Sequence, residues 1–263
     1  MIPPSYTTKV LLIAGGTPQG NDAISDVEII DFSENRPKYK EFAKLKHPRY
    51  YVYPVILPDK SILVLGGKTG KKGHLHDDMS HQHNHDHEDG EILHHPDAVL
   101  EPELLDPETN VWHPMADMKV DRLYHSSALL LPDGRIMTAG SNPQRTENEL
   151  RIEVFKPPYL FRGERPIIKR CNTEIGYNKK LEIETDNSEE INEICLIRPS
   201  STTHCVNTEQ RYIGLEFEIK SRTLINANIP DSPNLAPPGY YMLFISDNKG
   251  VPSIACFIRI SMQ

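Results

Sequence analysis

Cysteine is scarce in this chain and absent before Cys171; the four present, Cys171, Cys195, Cys205 and Cys256, form no CxxC pair. Metal or redox motifs of the CxxC type are therefore missing, while disulfides are neither shown nor excluded. Tryptophan is limited to Trp112. No apolar run approaches a membrane span, and the first residues, MIPPSYTTKVLLIAGG, lack a basic segment followed by a long apolar one. The sequence thus gives no membrane span and no export signal. An excess of basic charge is also wanting, since the formal net charge is −8. That balance offers no broad cationic surface for polyanions and argues against a nucleic-acid partner. No amphipathic helix of convincing length is found. What is plentiful is punctuation: 22 prolines and 15 glycines are spread over 263 residues. Such spacing suits many short strands joined by turns, and the length suits two domains.

Three short apolar runs end in glycine: KVLLIAGG from Lys9, SILVLGG from Ser61 and RIMTAG from Arg135. Each reads as an inner strand of a propeller blade. The last two follow similar phrases, PRYYVYPVILPDK from Pro48 and DRLYHSSALLLPDG from Asp121, in which LPD(K/G) is a hairpin turn. Anchored on that turn, Tyr50 aligns with Tyr124 and Tyr51 with His125. Outer strands are expected in DVEIIDF from Asp26 and in ELLDPETNVWHPM from Glu103, a Kelch-like strand, turn and aromatic strand. The repeat is one four-stranded blade. Residues 1–157 then hold two to three blades, whereas closed propellers use about four or more. Further blades are expected from upstream sequence of the same gene or from a partner chain, because a ring left open exposes strand edges. The start close to an inner strand reads as a severed blade.

After FKPPYLF, from Phe155, the blade pattern gives way to alternating segments: KLEIETD from Lys180, INEICLIRP from Ile191, YIGLEFEI from Tyr212, YYMLFISD from Tyr240 and IACFIRI from Ile254. About seven strands in roughly a hundred residues is the pattern of an immunoglobulin-like sandwich. The expected fold is all-β: a partial Kelch-type β-propeller over 1–157, then a β-sandwich over 158–263.

Four phrases in order, RLYHSSALLLPDGRIMTAGSNP from Arg122, EVFKPPYL from Glu153, STTHCVNTEQR from Ser201 and PPGYYMLFISDNKGVPS from Pro237, resemble the C-terminal part of the galactose oxidase and glyoxal oxidase family of copper-radical oxidases. The resemblance implies an early-set immunoglobulin-like domain for 158–263. It also implies one copper ion bound by Tyr124, His125 and His204, with Tyr124 as the catalytic base that takes the substrate proton. The substrates implied are small alcohols, aldehydes or carbohydrates, oxidised with O₂ to give H₂O₂, and the location implied is extracellular or at the cell envelope. Imidazole and phenolate suit tetragonal copper. Successive strand residues point to opposite faces, so Tyr124 and His125 can meet one metal only at a strand end or bend. By spacing alone the alternative stands that these are ordinary strand residues and His204 a surface histidine.

The family's radical tyrosine is cross-linked to a cysteine from early blades, and here no cysteine precedes Cys171. Tyr50 and Tyr51 lie one blade before Tyr124, so they are expected to be packed strand tyrosines with no radical role. On this reading the chain alone is inactive. The competing expectation is a non-catalytic propeller and sandwich module that binds glycans, protein partners or metal ions.

One insertion stands apart. Eight of the twelve histidines, His74, His76, His81, His83, His85, His87, His94 and His95, fall within 74–95. The tract is expected to be an accessory loop for copper, nickel or zinc, or else a solvated insertion. Cys205 is expected to be a buried structural cysteine. Gln210 and Arg211 are read as supporting the ligands or bridging the domains, or as plain surface residues. Trp112 is expected to pack within its blade, with His113 exposed.

Overall fold

The computed structural model describes residues 9–16, 22–70, 94–142 and 148–262. Among these residues the chain is strands, turns and two single-turn 3-10 segments, Pro158–Phe161 and Ser188–Glu190. No helix among them is long and apolar enough to cross a membrane.

Three successive antiparallel sheets come first. β1 (Lys9–Gly16), β2 (Ala23–Asp31) and β3 (Lys40–Glu41) form one, in the order β1-β2-β3. β4 (Tyr53–Ile56), β5 (Ile62–Leu65), β6 (Glu103–Asp106) and β7 (Val111–Pro114) form a full four-stranded meander. β8 (Ser127–Leu130), β9 (Ile136–Ala139) and β10 (Glu153–Phe155) form the third. The leading strands β4 and β8 pack on one another. The glycine-ended runs β5 and β9 are therefore second in their blades, behind β4 and β8. This is a partial β-propeller.

The repeat is physical as well as textual. In both LPD turns the leucine amide bonds the residue after the turn, Leu57 to Ser61 (2.9 Å) and Leu131 to Arg135 (2.8 Å). Each turn ends left-handed, at Lys60 (φ 70°) and Gly134 (φ 78°). These two blades also bury one arginine each. Arg49 donates to the Gly66 carbonyl (3.0 Å) and to Glu103 Oε1 (2.6 Å). Arg122 donates to the Gly140 carbonyl (2.7 Å), and Glu153, which leads its strand as Glu103 does, lies 3.8 Å away. In both of these blades a buried guanidinium bonded to a glycine carbonyl fixes the strand entry, and in the first it is also bonded to a carboxylate.

The remaining strands make two stacked sheets and a small hairpin. Their ranges are β11 (Ile168–Cys171), β12 (Glu174–Gly176), β13 (Lys180–Thr185), β14 (Ile191–Ile197), β15 (Thr202–Thr203), β16 (Val206–Asn207), β17 (Tyr212–Gly214), β18 (Phe217–Ser221), β19 (Leu224–Asn228), β20 (Gly239–Asp247) and β21 (Cys256–Ser261). The sheet orders are β11-β13-β19-β18 and β12-β21-β20-β14-β17, with β15-β16 apart. The phrase YIGLEFEI, expected as one strand, is two: β17 and β18 lie in different sheets. A disulfide, Cys171–Cys256, joins β11 of one sheet to β21 of the other.

The five-stranded sheet is buried on both faces. Ile194, Leu196, Leu243 and Ile245 point into the sandwich core. Their neighbours Cys195, Ile197, Met242 and Phe244 join a second core with Leu63, Leu65, Leu130 and Ile136 of the blades. Both LPD turns dock on this segment. Lys60 Nζ meets Glu193 Oε1 at 2.7 Å, Ala255 donates to the Pro132 carbonyl at 2.8 Å, and Arg165 donates to that of Asp133 at 2.7 Å. Trp112 pairs with Leu105 of its own blade and packs on the core, and its Nε1 also donates to the Ala43 carbonyl beyond β3 at 2.7 Å. His113 is exposed, as its place beside a strand turn implied.

The Arg49–Glu103 pair lies where both side chains are dry, at 0% and 2% exposure. Glu103→Ala leaves an uncompensated buried cation and should cost about 3–5 kcal/mol in urea unfolding. Glu34→Ala, which breaks the exposed Glu34–Lys40 pair, should leave the midpoint unchanged. Equal shifts for the two variants would contradict this account of the blade.

Candidate metal centre

Two turns bring the expected ligands together. Ahead of β8, the segment Leu123 to Ser126 closes with a Ser126 amide to Leu123 carbonyl bond of 3.2 Å. His125 sits third in it with φ 61°, the pattern of a type II turn, where glycine is the ordinary occupant. The bend answers the strand problem posed by adjacent ligands, because Tyr124 and His125 leave the strand alternation. Gly140, itself left-handed, passes so close that a Cβ there would meet the His125 carbonyl at 2.9 Å. That contact explains why the β9 run ends in glycine.

The third residue comes from the hairpin β15–β16, in which Thr203 pairs with Val206. Its two-residue loop is His204 (φ 49°) and Cys205 (φ 66°). Both values are positive, as in a type I′ turn, yet the sequence offers neither asparagine nor glycine. Non-glycine residues in this region cost about 1–3 kcal/mol each and gather at functional sites.

The rings converge. Tyr124 and His125 have centroids 3.8 Å apart, His125 and His204 5.1 Å, and Tyr124 and His204 6.0 Å. Thr203 Oγ1 lies 2.7 Å from His204 Nδ1. A hydrogen bond at Nδ1 orients the ring and sets its tautomer. Tyr51 is a fourth neighbour, its ring 5.0 Å from Tyr124. The expectation of a packed strand tyrosine holds for Tyr50, which is buried against Gly16, but not for Tyr51. Tyr51 lies outside any strand, half-buried, with φ 57°, nearly the conformation of His125, its partner in the repeat. Burial, and then the nearby Cys205, Tyr124 and Tyr50, push its phenol pKa above the ordinary value.

Other expected residues fall as follows. Gln210 bridges the two parts of the chain, donating from Nε2 to the Pro54 carbonyl at 2.9 Å. Arg211 stays within the sandwich segment and donates to the Leu235 carbonyl at 2.8 Å. Cys205 is half-buried with its thiol on Tyr53 Oη at 3.2 Å. His74, His76, His81, His83, His85 and His87 lie outside the described residues. The end of the tract is described: His94 Nδ1 is 2.6 Å from Asp121 Oδ1, and the His95 amide donates to Asp121 Oδ2 at 2.5 Å. Asp121 immediately precedes the buried Arg122, so the tract ends against the segment that carries Tyr124.

Among the described residues no three His, Cys, Asp or Glu side chains form a metal-binding group. The donors gathered here are two imidazoles and a phenol, a set that fits divalent copper. Sequence reasoning missed Thr203, Tyr51 and Tyr53. The left-handed pairing of Tyr51 with His125 was available in the repeat alignment, whereas Tyr53 gave no signal, being one of three tyrosines in YYVYP.

Propeller blades with a docked sandwich, gathering nitrogen and oxygen donor side chains at their junction, define the architecture of this all-β protein. The family model for the glyoxal oxidase N-terminus matches residues 87–159, and that for the galactose oxidase-like early set domain matches residues 165–260. Galactose oxidase of Gibberella zeae is 31% identical over 264 residues, covering 95% of this chain and 36% of that protein. An aldehyde oxidase of Arabidopsis thaliana is 31% identical over 262 residues, covering 90% of this chain and 40% of the relative. The structure of a fungal alcohol oxidase of the AA5 family in complex with copper superposes with a TM-score of 0.83 at 29% identity, covering 98% of this chain and 53% of that one. The chain belongs to the galactose oxidase and glyoxal oxidase family, and it spans well under two thirds of the length of these relatives.

Because His125 occupies a glycine conformation, His125→Gly should leave the thermal midpoint unchanged or higher, whereas His125→Val, β-branched and left-handed, should lose about 1–3 kcal/mol. A glycine variant less stable than the valine variant would show that the turn carries no strain.

Proposed function

We propose that Tyr124, His125 and His204 bind one copper ion and that the chain is the copper-binding portion of an oxidase acting on small primary alcohols, aldehydes or carbohydrates. The observation that carries this reading is the meeting of three donor rings, from turns about 80 residues apart in sequence, within 6.0 Å. Copper held there supplies a one-electron redox centre for the oxidation of substrate by O₂ with release of H₂O₂. Tyr124 takes the proton of the substrate hydroxyl. His125 and His204 hold the ion through ring nitrogens, His204 being oriented by Thr203. The reading keeps the division of the chain at 157/158, so His204 crosses from the sandwich to the blades.

The same reading assigns further blades to the open sides of the propeller segment. Val10 and Leu12 on β1 are exposed at 41% and 54%, and Leu150, Ile152 and Val154 at or beside β10 at 87%, 62% and 43%. Blades from the same gene or a partner chain would cover them. A cysteine and a tyrosine on such blades would supply the radical cofactor, since no cysteine precedes Cys171 here. The Cys171–Cys256 disulfide supports an extracellular or cell-envelope location, where such bonds persist.

Calorimetric titration with Cu(II) should find one tight equivalent beside weaker sites. Deleting residues 73–95 should remove the weaker sites alone. His204→Ala and His125→Ala should each weaken the tight site at least about tenfold, and the chain with copper should release no H₂O₂ from alcohols. A tight site indifferent to His204 defeats the assignment, and vigorous turnover defeats the need for an upstream cysteine.

A further inference from the structure

One buried phenol lies directly behind the ring cluster. Tyr53, first residue of β4, is 3% exposed and packs in the core shared by blades and sandwich. Its hydroxyl is saturated: it donates to the Leu123 carbonyl at 2.5 Å and accepts from the Ser126 amide at 3.0 Å and the Cys205 thiol at 3.2 Å. A phenol has one proton to give and two lone pairs, and all are used. Its partners are not scattered. Leu123 and Ser126 are the two ends of the turn that holds Tyr124 and His125, and Cys205 follows His204 in the hairpin loop.

We infer that Tyr53 is the positioning residue of the centre, setting the separation between the Tyr124–His125 turn and the His204 hairpin. The inference rests on the copper reading only for its functional consequence; the bonds themselves do not depend on it. Three features support it. The turn's own closing bond shares the Ser126 amide, at 3.2 Å to Leu123 against 3.0 Å to Tyr53. The turns on both sides are left-handed at non-glycine residues, so each needs an outside hold to keep a conformation it does not favour. The hydroxyl also reaches residues 70 and 152 positions further along the chain, which no local hydrogen bond does. Burial raises the pKa of the phenol, so it remains a proton donor at neutral pH.

Tyr53→Phe keeps the ring and removes all three bonds. In the intact chain it should weaken the tight Cu(II) site about tenfold to a hundredfold and broaden the EPR hyperfine pattern of the bound ion. Without metal, the Ser126 amide should exchange faster and the Cys205 thiol should react faster with a disulfide reagent. Cys205→Ala removes one bond and should give a smaller loss, while Cys205→Ser, which keeps a donor, should restore near-native affinity. If Tyr53→Phe fails to fold, the contrast between the two Cys205 variants decides. A folded Tyr53→Phe with native copper affinity and unaltered Ser126 exchange overturns the inference. A wild-type chain that takes up no copper through His204 sinks the copper reading instead, and the two metal-free measurements then decide the role of Tyr53 alone.

Discussion

The centre depends on a sheet that is wet on neither side. In β14 and β20 successive residues alternate between two apolar environments, Ile194, Leu196, Leu243 and Ile245 facing the partner sheet and Cys195, Ile197, Met242 and Phe244 facing the blades. Each fully buried side chain of this size is worth about 1.5–3 kcal/mol of transfer free energy. Docking is therefore continuous with folding: the strand residues that close the sandwich have neighbours that close the joint. A hairpin tied to that sheet is carried to a fixed place above the blades, and His204 arrives with it.

Against this rigid frame the two histidine positions, and the cysteine beside one of them, are locally unfavourable. His125, His204 and Cys205 occupy left-handed backbone regions without being glycine, and the neighbouring arginine, threonine and tyrosine contacts hold them there. Strain of this kind is the ordinary companion of a site whose donors must stop short of the relaxed strand geometry. It also separates stability from function, because the residues that carry the chemistry are those the backbone would replace first.

Much of the architecture could be read from the sequence because it follows period and punctuation. The LPD turns and glycine-ended runs marked the blades, and alternation in KLEIETD marked a half-buried strand, seen as β13 with Leu181, Ile183 and Thr185 inward. The runs ICLI and YMLFI read as apolar throughout because both faces are covered, a fact that no periodicity discloses. YIGLEFEI misled because its apolar residues serve two sheets on either side of a break at Leu215 and Glu216. At the centre, family motifs pointed to Tyr124, His125 and His204, but the means of holding them did not show. A type I′ turn is normally announced by asparagine and glycine, and His204–Cys205 announces nothing. Tyr53 is likewise silent, since its contacts are with residues distant in sequence.

The shared backbone of Tyr51 and His125 has a consequence for how such a scaffold changes over time. In the second and third blades a buried arginine, a glycine carbonyl and a left-handed bend fix one residue ahead of the leading strand, at φ 57° in one and φ 61° in the other. The bend is specified by its surroundings and not by the side chain it displays. These two blades thus offer a socket whose occupant can be exchanged without rebuilding the blade, a phenol in one and an imidazole in the other. The displayed side chain in these two blades can change by single substitutions while the load of folding stays with the arginine and glycine behind it.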